Sequence, residues 1–287
     1  MKNFLVTILT TALIAATVIS SCDKNEDSGL AESNSKNVKF GSETAQSMDV
    51  YLPQGRTTSN TKVIVFIHGG SWSGGDKSDF DTDIPSIRSQ LKDYAIFNIN
   101  YRLANNGQNR YPAQMEDVQK AIEFITSKGD EYKIDPKKIA LVGVSAGAHM
   151  ALLYAYKFDP DKSIKAVVDL FGPTNLTTLY TDHPVPAASQ PVLVNFLGAT
   201  PTTNSAKYFE ASPINFVTSQ SPPTLILHGD ADYIVPLSQS TTLRNALLAA
   251  GAKVEIHTYV GEGHGWFGST LTDTYNRTIS FVKANVQ

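Results

Sequence analysis

Ser145 stands in Gly143-Val144-Ser145-Ala146-Gly147, between the apolar run Ile139-Ala140-Leu141-Val142 and a helix-prone stretch rich in alanine. A serine flanked at two residues on each side by glycine, at a junction of strand and helix, has the pattern of a nucleophile elbow. The turn is too sharp for side chains at positions 143 and 147, which explains glycine at both. Such a turn leaves the serine hydroxyl at a helix N-terminus, where the dipole and the Ala146 amide favour developing negative charge.

A serine hydroxyl needs a base, and the base needs a group to orient it. Six histidines are available. His149 falls one turn past Ser145 on the same helix, and His68 and His228 each close an apolar run before a glycine, as structural hydrogen-bonding residues do. His183 lies in an irregular proline-rich region, and His257 belongs to the alternating run Val254 to Tyr259, which reads as an edge strand. His264, in Gly261-Glu262-Gly263-His264-Gly265-Trp266, follows that strand on a glycine-rich loop. Loops at the ends of strands are where a base reaches back to a nucleophile, so His264 is the candidate. A base must be neutral to take a proton, and imidazole titrates near about 6.5, so activity is expected to fall in acid. For the carboxylate, Leu225-Ile226-Leu227-His228-Gly229-Asp230-Ala231-Asp232 offers Asp232, with Asp230 read as turning back on its own loop and Asp169 as the lesser alternative. The order Ser, Asp, His matches the order of hydrolases built on such an elbow.

Acyl transfer also requires donors aimed at an oxyanion. His68-Gly69-Gly70-Ser71-Trp72 follows the apolar run Val63 to Ile67, and its glycines let backbone approach a substrate. The N–H groups of Gly70 and Ser71, with that of Ala146, are the candidates. The spacing fits neither a phosphate loop nor a dinucleotide fingerprint. Trp72, Trp266 and Phe267 flank these positions and are candidate pocket residues, whereas Arg102 reads as structural.

These residues demand a scaffold that brings distant loops to one edge. The runs at 63–67, 95–99, 139–142, 166–168 and 225–227 are continuously apolar, as strands buried on both faces are, and they alternate with helical patterns. This predicts an α/β domain, a doubly wound, mostly parallel sheet with helices on both faces, over 38–287. Residues 173–223 break the rhythm with many prolines and polar residues and are predicted to form a small lid insertion that sets the depth of the pocket.

The chain has 287 residues, 41% of them hydrophobic, with a formal charge of −3 and one cysteine. There is no basic cluster to bind nucleic acid, and one cysteine closes no internal disulfide. Lys2 followed by the apolar stretch Phe4 to Ile19 predicts an export signal over 1–21. Ile19-Ser20-Ser21-Cys22 resembles the lipobox of bacterial lipoproteins, which implies lipid attachment at Cys22 and anchorage of an exported chain to a membrane. The polar segment 22–37 reads as a flexible tether.

HGGSW, NYRL, YPAQMEDV, GVSAG, ASPI, HGDADYIVP and GEGHGW occur in the order and spacing of α/β-hydrolases of the carboxylesterase type. The chain most resembles the bacterial esterase-lipase branch that includes acetyl-xylan and feruloyl esterases and kynurenine-formamidase-like enzymes. It differs from the hormone-sensitive-lipase branch, which carries HGGG. The resemblance implies the α/β-hydrolase fold, a Ser145–His264–Asp232 triad, an oxyanion hole of Gly70, Ser71 and Ala146, no metal or organic cofactor, and an ester of a saccharide or small molecule as substrate. A serine peptidase or amidase on the same fold, and a non-catalytic binding protein, are the alternatives.

Overall fold

Eight strands of mostly aliphatic, β-branched and aromatic residues form one sheet in the computed structural model, which describes residues 29–287. The strands are β1 (Ser33–Lys39), β2 (Ser47–Leu52), β3 (Lys62–Ile67), β4 (Tyr94–Ile99), β5 (Ile139–Val144), β6 (Ile164–Leu170), β7 (Thr224–Gly229) and β8 (Val254–Tyr259), in the spatial order β1-β2-β4-β3-β5-β6-β7-β8. β1 and β2 run antiparallel to their neighbours, and the pairs from β4 to β8 are parallel. The mostly parallel, doubly wound α/β sheet is therefore present.

The helices are α1 (Ile84–Gln90), α2 (Ala113–Ser127), α3 (Gly129–Tyr132), α4 (Ala146–Leu153), α5 (Leu176–Thr181), α6 (Pro186–Leu197), α7 (Ser205–Glu210), α8 (Ser238–Ala249) and α9 (Gly268–Asn285). Alternate strand residues feed two cores. Val63, Val65 and Leu141 pack toward α2, α4 and α8, while Ile64, Phe66 and Val142 pack toward α1 and α9. Side chains of period two thus explain why the central strands are apolar throughout.

Two expectations shift. Residues 33–37, assigned to the tether, belong with Val38 and Lys39 to β1, which pairs with β2 and brings the start of the sheet to Ser33. The side chains of β1 are largely exposed, so no apolar period marks it. Backbone pairing and Lys36, whose Nζ donates to Asp49 (2.8 Å), Tyr51 (2.7 Å) and Asp81 (2.9 Å), hold it instead. The export signal, Cys22 and residues 22–28 of the tether lie outside the described residues.

The insertion at 173–223 contains α5, α6 and α7, and its Leu176, Leu179, Leu193, Phe196, Leu197 and Tyr208 are buried in the core on the α4 side. Asn175 and Asn204 cap α5 and α7 by accepting from the N–H groups of Thr178 and Lys207.

Candidate active site

β5 delivers Ser145 to the C-terminal edge of the sheet through a backbone that few L-residues adopt, φ 55° and ψ −118°. The Ser145 N–H donates to Leu170 O (2.8 Å), which ties the turn to the end of β6. A Cβ at Gly147 would lie 2.0 Å from Ile67 O, and one at Gly143 would lie 2.4 Å from Gly147 O. Glycine is required because α4 runs directly against the ends of β3 and β5.

The loop after β8 brings His264 to this turn. His264 Nε2 lies 2.8 Å from Ser145 Oγ, and Nδ1 lies 2.7 Å from Asp232 Oδ2. A carboxylate only accepts, so Nδ1 carries the proton and Nε2 is free to accept from the serine. Asp232 Oδ1 accepts from the N–H groups of Ile234 (2.8 Å) and Val235 (2.9 Å). Burial alone would raise the Asp232 carboxyl, but donation from His228, His264 and the Val235 N–H holds it well below the usual carboxylate range. It stays ionised beside the imidazole.

The loop after β3 lies against the serine: a Cβ on Gly69 would sit 2.9 Å from Val144 O and 3.3 Å from Ser145 Cβ. Gly70, Ser71 and Trp72 follow with φ of 105°, 53° and 58°, three successive left-handed residues. A Cβ at Gly70 would meet Gly74 O at 2.2 Å. Tyr101 fixes this loop from below. Its hydroxyl reaches His68 O (3.0 Å) and Gly69 O (3.1 Å), and its ring stacks on His68. The N–H of Ala146, first in its helix, and those of Gly70 and Ser71 have no backbone acceptor among the described residues, leaving them free to donate at the site.

Of the flanking aromatics, Trp72 is buried, donates from Nε1 to His149 Nδ1 (3.2 Å) and stacks on Phe196 at 4.2 Å. Trp266 is buried and donates to Thr274 Oγ1 (2.7 Å), whereas Phe267 is 87% exposed. Trp266 and Phe267 border a cavity of about 450 Å³ that reaches between α1 and α9. No residue of the insertion lines that cavity. Its depth is set by Phe80, Ile87, Leu271 and Tyr275, whereas the insertion walls a smaller space on the other side of Ser145 through Ala188, Val192 and Leu193.

Residues 48–247 match the BD-FAE family. The chain belongs to the BD-FAE family. Among curated proteins it is similar to Esterase LipC of Mycobacterium tuberculosis, 28% identical over 248 residues, covering 80% of this chain and 59% of LipC. It is also similar to the probable carboxylic ester hydrolase LipM of the same organism, 30% identical over 209 residues, covering 68% of this chain and 47% of LipM. The chain thus spans only about half of the length of such relatives. Among solved structures, a bifunctional GH43-CE protein of Bacteroides eggerthii superposes with a TM-score of 0.76 at 26% identity over 88% of this chain and 38% of that one. A truncated carbohydrate esterase from gut microbiota superposes with a TM-score of 0.70 at 27% identity over 90% of this chain and 99% of that one. The α/β-hydrolase fold is shared by these esterase structures.

Within this BD-FAE site, Asp232 faces His264 as the sequence reading has it, and Asp230 departs from its reading. Asp230 Oδ1 accepts from Gly261 N (2.6 Å), so it ties the β7 loop to the β8 loop, and it is Asp232 that turns back on its own backbone. Asp169 is fully buried below the site. Burial pushes its carboxyl up to about 7, against the Gly172 N–H and the nearby His228. His228, structural by its place in the sequence, is also tied to the acid. Its Nε2 lies 3.2 Å from Asp232 Oδ2 and 2.8 Å from Val235 O, and its Nδ1 lies 2.6 Å from Ser240 Oγ. Phe171 is absent from the sequence reading. It holds φ 45° and packs on His264 with ring centroids 4.6 Å apart. Neither carries a signal in sequence beyond lying at the end of a strand.

The other histidines serve the frame. His149 Nδ1 accepts from Trp72, so Nε2–H donates to Ala211 O (2.7 Å), and burial lowers this imidazole to about 4. His183 accepts from Val185 N (2.9 Å) and donates to Ile234 O (3.2 Å), joining the insertion to the Asp232 loop. Arg102 pairs with Asp117 and Glu116, as a structural residue does.

Proposed function

We propose that this chain is a serine carboxylic-ester hydrolase that removes acyl groups from carbohydrate. The observation that carries this is the unbroken line of hydrogen bonds from Ser145 Oγ through His264 to Asp232, opening on a cavity beside a loop with free N–H groups. Ser145 Oγ attacks the ester carbonyl while His264 Nε2 takes its proton, and Gly70, Ser71 and Ala146 donate to the oxyanion. The imidazolium, held by Asp232, then protonates the departing alcohol. Water attacks the acyl-enzyme by the same route and restores Ser145. The esterase names of the curated relatives and the carbohydrate esterases among the structural neighbours support ester and saccharide as the two halves of the substrate.

Acetylated xylo-oligosaccharides, short-chain aryl esters, methyl ferulate and an amide series are the test, run on the purified protein and on Ser145→Ala. Ester cleavage should dominate, and the variant should lose at least about 10³-fold in kcat. Unchanged turnover by Ser145→Ala, or a preference for amides, overturns the reading. The same proposal places the chain outside the cytoplasm, anchored through a lipid on Cys22. Mass spectrometry of the protein from its native membranes should find that residue acylated.

A further inference from the structure

Ser145 separates two spaces of unequal size. The large cavity, about 450 Å³, has His264 in its wall together with Trp266, Phe267 and Leu271. On the other side lies a space of about 30 Å³, bordered by Trp72, Ala146, Ala188, Val192 and Leu193. Ser71, Ser145 and Ile234 border both, whereas His264 borders only the large one.

The chemistry assigns these spaces, given the hydrolase reading above. When the tetrahedral intermediate collapses, the bond from carbon to the alcohol oxygen breaks and the proton on His264 Nε2 passes to that oxygen. The alcohol oxygen must therefore lie within hydrogen-bond reach of Nε2, and the rest of the alcohol extends into the cavity that His264 lines. The oxyanion turns to the amides, and the remaining substituent, the acyl chain, is left facing the space that His264 does not line. We propose that this small space beneath α6 is the acyl subsite, sized for acetyl or propionyl, and that the large cavity receives the alcohol.

The limit on chain length is rigid. Trp72 is held at its edge by His149 and on its face by Phe196, while Leu193 and Phe196 are fully buried in the core. His149 is itself fixed by Ala211, so the wall is tied to both α4 and the insertion. A space of this volume has room for about one or two carbon atoms, which selects acetyl over feruloyl. The large cavity is mainly apolar in its depth, at Phe80, Leu271 and Trp266, with Asp79 and Asp83 also in its wall. Two carboxylates repel an anion, so the preferred alcohol is bulky, apolar on one face and without negative charge.

The test measures kcat/KM for the 4-nitrophenyl esters of acetate, propionate, butyrate, octanoate and ferulate, and for naphthyl against methyl acetate. The wild-type protein should favour acetate over butyrate by about 10-fold or more, since each methylene that does not fit is worth about 10-fold or more. Val192→Ala should raise the butyrate-to-acetate ratio, and Ala188→Val should lower the propionate-to-acetate ratio. Leu271→Trp should lower the naphthyl-to-methyl ratio and leave the acyl-chain ratio in place. A wild-type preference for octanoate or ferulate over acetate overturns the assignment, as does an acyl-chain ratio that responds to Leu271→Trp and not to Val192→Ala. If no ester is cleaved in a way that Ser145→Ala abolishes, the hydrolase reading falls instead.

Discussion

At the residue scale, Asp232 Oδ2 is shared between two imidazoles, His264 at 2.7 Å and His228 at 3.2 Å. His228 is one of the groups that hold the Asp232 carboxylate against His264, and removing it loosens that hold. His228→Leu should lower kcat/KM by about 10–100-fold, the scale of one lost hydrogen bond to a charged group. His228→Gln, which can keep a donor near Asp232, should lose less. Asp169 faces His228 from β6, and Asp79 and Asp83 share the cavity wall with His264, so all are retained in these variants.

At the element scale, the site depends on how closely α4 approaches β3. Gly147→Ala would place a methyl 2.0 Å from Ile67 O and 2.5 Å from His68 O, which backbone cannot absorb without moving α4. A displacement of about 1 Å at the nucleophile costs about 10²-fold in rate, and kcat for an aryl acetate should fall by at least that. The end of β6 offers a stability test. The Asp169 carboxyl is raised to about 7 by burial, and its Oδ2 has no partner among the described residues. Between the ordinary carboxylate range and pH 7, the folded chain holds a proton that the unfolded chain has released, so stability is lost as pH rises through that window. Asp169→Asn cannot ionise. Relative to wild type it should gain about 2–3 kcal/mol between pH 5 and pH 8, measured by denaturant unfolding at both values. An equal difference at the two pH values contradicts a buried neutral acid.

At the scale of the whole molecule, β1 closes the antiparallel edge of the sheet, and its Lys36 bridges Asp49 on β2 and Asp81, next to the cavity-lining Phe80. Asp49 is also paired with the buried Lys77 at 2.8 Å. A chain beginning at Gly29 keeps the whole of β1. One beginning at Gly41 exposes the edge of β2 and should melt lower, by about 2–4 °C for each kcal/mol removed. Thermal unfolding followed by circular dichroism compares the two. Equal melting temperatures would show that β1 adds nothing to the fold.

Local chemistry made much of this protein legible in its sequence. Apolar runs announced β3 to β7 because strands buried on both faces are mostly apolar, and Gly143 and Gly147 around Ser145 announced the turn because only glycine fits at those two positions. Ser145, Asp232 and His264 could be singled out by type and by position at strand ends, and the fold brings them within hydrogen-bond distance. What depends on contacts between distant segments was not legible. β1 is held by backbone pairing and one lysine, which leave no apolar pattern, and the link from His228 to Asp232 exists only because the β7 loop folds back on its own strand. The division of the site into a small and a large space is of the same kind. It arises where α6 closes on Trp72 from one side while α9 stands off from α1 on the other, and volumes between elements are fixed by packing across the whole chain.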